Sequence, residues 1–141
     1  MPTTMDSGAT VTVIPKDAGK LYKTVESPAS RAGVKYQVAN GDWLPNLGQK
    51  ALPVMTNEGS MRGVLAQVAD VTGALTSARA LNHSGHLVVL DGKESFILNK
   101  TTGEVNEIVD DGHAYKFDMW VCPPEELESL GMAEGFTRQH P

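Results

Sequence analysis

The sequence predicts a mainly β fold of short antiparallel strands with one or two short helices, and three observations predict it. Fourteen glycines and eight prolines among 141 residues punctuate the chain too often for long helices. Between them, apolar and polar residues alternate over runs of about five residues, the period of a half-buried strand. Two pairs of such runs are joined by Asn40-Gly41 and by Asp91-Gly92, dipeptides that accept the positive φ values of tight hairpins.

In chain order, Met5-Asp6-Ser7-Gly8-Ala9-Thr10 comes first. An acid, a small hydroxyl residue, then Gly and Ala suit a tight turn that presents the Asp6 carboxylate while backbone approaches it closely. Val11, Thr12, Val13 and Ile14 follow as a strand that stops at Pro15, which has no ladder donor. Residues 16–23, with Ala18, Leu21 and Tyr22, read as a single helical turn limited by Gly19, and residues 24–33 as a loop. Residues 33–39 alternate and return through Asn40-Gly41 into Asp42-Trp43-Leu44-Pro45, a hairpin with a type I′ turn. Pro45 suits an edge strand, so one side of this hairpin is free to close over a cleft.

Residues 49–55 and 63–69 predict two further strands, turned at residues 57–60. Val71-Thr72-Gly73-Ala74-Leu75 then leads into a helix of about two turns, with Thr76 or Ser77 as N-cap and Gly85 ending it in the left-handed conformation. Residues 86–90 and 94–98 form the second hairpin, around Asp91-Gly92. Strands at 104–109 and 113–121 follow. Pro124 opens a helix whose first turn carries Glu125 and Glu126, and residues from Gly131 onward form a tail. The expected organisation is one domain over residues 1–122, its later strands a C-terminal extension, with a short helix and tail at 123–141.

Composition narrows the function. A net charge of −5 and a pI near 5.3, with Lys and Arg scattered, advertise no basic face for nucleic acid or an anionic membrane. No apolar run reaches the roughly 20 residues that span a bilayer. The first five residues lack the basic and apolar blocks of a secretory signal. One cysteine, Cys122, excludes an intrachain disulfide and suits a reducing compartment. The chain therefore reads as soluble, intracellular and cytoplasmic, with no cofactor implied.

Asp6-Ser7-Gly8-Ala9 resembles the active-site turn of aspartic proteases, and the order of features after it resembles the retropepsin-like protease of copia-type retrotransposon polyproteins. The hairpin at Val38-Ala39-Asn40-Gly41-Asp42-Trp43 is similar to the family's flap. Thr72-Gly73-Ala74, with the helix after it, is similar to the closing segment, and residues 85–98 ahead of Thr101-Thr102-Gly103 extend the likeness to about residue 120. The resemblance implies a closed or partly closed barrel, a peptide or polyprotein substrate, and catalysis by Asp6. It further implies that Ser7 braces paired turns, Gly8 offers its carbonyl to the substrate, and the flap folds over it.

Aspartic protease chemistry needs two carboxylates about 3 Å apart that share a proton, and this chain carries one Asp-Ser-Gly. Asp70 and Asp91 are not in such turns: Asp91-Gly92 reads as a hairpin and Asp70 as a strand end. A two-fold homodimer pairing Asp6 with its symmetry mate is therefore expected. Only five residues precede Asp6, where the resemblance implies a further strand, and residues 113–121 are the candidate to lie in that place.

Two other readings compete. One is a catalytically inactive interaction or structural domain with the same fold. The other is chemistry at His83, His86, His113 and Cys122, as a metal site or a Cys–His nucleophile, but His83 and His86 straddle a predicted helix end, no carboxylate sits at a familiar zinc spacing, and Cys122 sits beside two prolines without a basic helix N-terminus.

Overall fold

The computed structural model describes residues 1–38 and 40–129, so Ala39 of the hairpin and the tail beyond 129 lie outside the described residues. The fold is mainly β. Six strands close into a barrel: β1 (Pro2–Asp6), β7 (Ala74–Ser77), β2 (Val13–Pro15), β6 (Met61–Ala69), β5 (Gly48–Thr56) and β12 (Tyr115–Val121), which returns to pair with β1. The short β11 (Val109–Asp110) extends the sheet beside β12. A hairpin of β3 (Lys35–Gln37) and β4 (Trp43–Pro45) stands apart, as does a three-stranded sheet of β8 (His86–Val89), β9 (Phe96–Asn99) and β10 (Val105–Glu107). Three short helices complete the described chain: α1 (Pro28–Arg31), α2 (Ala78–His83) and α3 (Pro124–Ser129).

The strands are not all antiparallel, as the sequence suggested. β1 runs parallel to β7, and β2 parallel to β6. The two strands flanking the Asp6 turn are not neighbours, because β7 lies between them. The turn must therefore span two strand spacings, about 10 Å, and the end of β7 comes up beneath it.

Strand β12 pairs with β1 through Pro2↔Asp118, Thr3↔Phe117 and Thr4↔Lys116. Residues 2–6 themselves form a strand, and the late segment lies alongside it, pairing on its other side with β5. Ile14, Leu52, Val54, Ala66, Val68, Ala74 and Met119 form the main core. Tyr22, Cys122 and Leu127 cover it, and the Tyr22 hydroxyl donates to the Cys122 carbonyl. A second cluster of Met5, Ala78, Ile97 and Ile108 joins the three-stranded sheet and α2 to the barrel.

Local expectations fail where long-range bonds decide. Residues 16–21 form successive turns, not a helical turn, because carbonyls among them face inward. The buried Lys50 Nζ donates to the carbonyls of Lys16, Ala18 and Gly19 at 3.3, 2.9 and 3.3 Å. Burial pushes the Lys50 pKa down, partly offset by Asp17. The predicted loop at 24–33 contains α1 instead, started by a reciprocal capping box between Ser27 and Ser30 with Pro28 in the first turn. The Asp91-Gly92 tight turn is absent: Val89 pairs with Phe96, and a 3₁₀ turn at Gly92–Glu94 fills the wider loop.

Candidate active site

Asp6 ends β1 half-buried, and Ser7 and Gly8 after it are exposed. The Gly8 N–H donates to Asp6 Oδ1 at 2.8 Å, so the carboxylate closes its own turn. Gly8 has a negative φ, and an added Cβ would meet only Asp6 Oδ1, at 3.4 Å. Nothing else in the chain requires glycine there. What the missing side chain leaves open is the approach to the carboxylate from solvent.

The turn is fixed from below by β7. Asp6 lies in register with Ser77, and the fully buried Ser77 makes three bonds that define the turn. Its hydroxyl donates to the Ala9 carbonyl at 2.7 Å, its N–H donates to Thr12 Oγ1 at 3.1 Å, and its oxygen accepts the Ala80 N–H at 3.0 Å as the N-cap of α2. One residue earlier, the Thr76 hydroxyl bonds that of Thr3 at 2.8 Å across the parallel pair. Each bond joins residues more than sixty apart, apart from the cap. Sequence reasoning found Ser77 only as a capping candidate and missed Thr3 and Thr12.

Thr72, Gly73 and Ala74 sit at the other end of β7. Thr72 and Gly73 are exposed in the connection, and the buried Ala74 pairs with Thr3. The part of this segment that reaches Asp6 is Thr76-Ser77.

The hairpin turns through a three-residue loop, not the type I′ turn that Asn40-Gly41 suggested. Val38 donates to the Asp42 carbonyl and Gly41 to the Val38 carbonyl, and Gly41 has φ +91° while no described non-glycine residue has positive φ. This is the turn followed by a left-handed glycine typical of longer hairpin loops. Asn40 accepts the Asp42 N–H at 2.9 Å, which stiffens the tip. Trp43 is 60% exposed.

The foot of the hairpin is Asn46, which is buried. Its Nδ2 donates to Tyr36 Oη on β3 at 2.9 Å and to Gln67 Oε1 on β6 at 2.8 Å. Its Oδ1 accepts from the Gly48 N–H at 2.8 Å and the Ser27 hydroxyl at 3.2 Å. Gln67 in turn donates its backbone N–H to the Thr12 carbonyl. A continuous series of bonds thus runs from the hairpin foot through Gln67, Thr12 and Ser77 to the Asp6 turn.

Other candidates lie elsewhere. Asp70 pairs with Lys16 at 3.6 Å beyond the end of β6, and the Asp91 N–H is held by Ser95 Oγ; neither residue stands in a turn like that of Asp6. His86 Nδ1 bonds Ser84 Oγ at 3.0 Å, and among the described residues no group of three or more His, Cys, Asp or Glu could hold a metal ion. Cys122 is fully buried, and burial and the charge of Glu126 push its thiol pKa up, the reverse of an activated nucleophile. A cavity of about 430 Å³ lies between barrel, α2 and the three-stranded sheet, walled by Val64, Leu81, Ile97, Phe117 and Met119, but residues 6–9 do not line it. None of the described helices is long and apolar enough to cross a membrane. In comparison with known proteins, no family model and no curated protein matches the chain.

Proposed function

We propose that the chain is an aspartic endopeptidase of the retropepsin-like, copia type, acting on peptide bonds of a polyprotein as a two-fold homodimer. The observation that carries this reading is the Asp6 turn: one half-buried carboxylate on an exposed turn, braced from inside by Ser77 and open on its outer side at Gly8. Paired across a two-fold axis, two such turns place two Asp6 carboxylates in reach of one water. Like charges that close cannot both ionise, so the pair holds one proton. The ionised Asp6 takes a proton from the water as it attacks the scissile carbonyl, and the protonated Asp6 donates to the carbonyl oxygen.

In this reading Ser7 and Gly8 face the partner and the substrate, and the β3–β4 hairpin with Asn40, Gly41, Asp42 and Trp43 folds over the peptide. The hairpin's exposure supports that role, since its outer side is unpaired among the described strands. Purified protein incubated with peptide libraries tests the proposal. Pepstatin-sensitive cleavage that Asp6→Asn abolishes is the expected result. A chain that stays monomeric at high concentration and cleaves nothing supports the interaction-domain reading instead.

A further inference from the structure

We infer that Asn46 is the positioning residue that sets the β3–β4 hairpin relative to the Asp6 turn, so that its loss weakens substrate capture while leaving the chemical step intact. The inference rests on the peptidase reading for its kinetic part only. Its structural part stands on the bonds themselves.

Among the described residues the hairpin pairs with no strand of the barrel, and its tip is closed by bonds internal to residues 37–42. Its inclination is therefore decided at its foot. There the backbone N–H of Asn46 donates to the Val34 carbonyl on the outgoing side, and the next residue, Leu47, donates to the Val68 carbonyl of β6 at 2.7 Å. The Asn46 side chain bridges the same two bodies, through Tyr36 in the hairpin and Gln67 in the barrel. Both amide hydrogens and both carbonyl lone pairs are in use, the most an asparagine side chain offers. Gln67 also meets Thr12, the residue that receives the Ser77 N–H. Hairpin foot and catalytic turn are thereby referenced to one point on the barrel wall.

The division of labour is testable. Ser77 holds the turn, so Ser77→Ala lowers kcat. Asn46 holds the hairpin, so Asn46→Ala raises KM about tenfold with kcat nearly unchanged, the equivalent of about 1.4 kcal/mol of binding. The second readout needs no activity: in a Trp120→Phe background Trp43 is the sole tryptophan, and its fluorescence anisotropy reports hairpin motion. Asn46→Ala is expected to lower that anisotropy. Tyr36→Phe, which removes only the bond into the hairpin, lowers it less and decides the matter if Asn46→Ala does not fold.

Unchanged anisotropy in every folded variant overturns the inference. Lowered anisotropy with unchanged KM overturns the capture role. Lowered anisotropy in a chain without peptidase activity leaves the anchor standing and refutes the peptidase reading alone.

Discussion

Ser77 and Gly48 show how much one position can decide. Ser77 joins the Asp6 turn, the Thr12 side chain just ahead of β2, and α2 through a single buried hydroxyl and amide, so Ser77→Ala removes an N-cap and leaves the Ala9 carbonyl without its donor. A loss of about 1–2 kcal/mol follows from those terms, read as a lower urea midpoint at unchanged slope. Gly48 has φ +130°, and a Cβ there would sit 2.4 Å from the Val25 carbonyl oxygen. Gly48→Ala is therefore expected to cost more, about 3 kcal/mol from strain and backbone displacement together. The Asp6 turn was legible because its chemistry is local. Lys50 was not singled out, although the alternation Gly48, Lys50, Leu52, Val54 places it on the buried face of β5, and only the fold supplies the three carbonyls that receive its ammonium.

At the scale of elements, most strands and α2 were legible from alternation, turn residues and capping, since these act within a few residues; the short β1 and β7 were not. Turn types were not, because loop length is set by strand register: beyond the Gln37↔Trp43 pair, the Val38 N–H bond to the Asp42 carbonyl leaves three residues at the first hairpin tip. The insertion of β7 between β1 and β2 leaves no local trace in the sequence either. One junction between elements is sensitive to pH. Glu58, at the tip between β5 and β6, accepts the Glu107 N–H at 2.9 Å and Asn106 Nδ2 at 3.0 Å, tying the barrel to β10. Burial raises its carboxyl pKa, but these bonds and its own backbone N–H outweigh that, and the net shift is below the ordinary 4.5. A lowered acid stabilises the fold fully above its unfolded value and loses that contribution as pH falls through the folded value. Amide exchange at Glu107 should therefore accelerate as pH drops below about 4.5, relative to the intrinsic rate. In Glu58→Gln the same amide should show no such step.

The whole molecule depends on closing a barrel between residues far apart in the chain, more than a hundred apart at the β1–β12 seam. Thr3 meets Phe117 and Val54 meets Val121, so β12 supplies two of the barrel's six seams. Replacing Met119, buried in the core between those seams, by Asp is expected to abolish cooperative unfolding, because an unpaired charge would be placed in apolar surroundings. Closure also leaves the single Asp6 turn at the surface, where a second copy completes the proposed site.

The decisive measurement is peptidase activity in mixtures of wild-type and Asp6→Asn subunits, equilibrated at fixed total concentration while the ratio is varied. If each site needs an Asp6 from both copies, activity follows the square of the wild-type fraction and an equal mixture retains about a quarter. Activity proportional to the wild-type fraction, with an equal mixture retaining about half, would contradict a site shared between two copies.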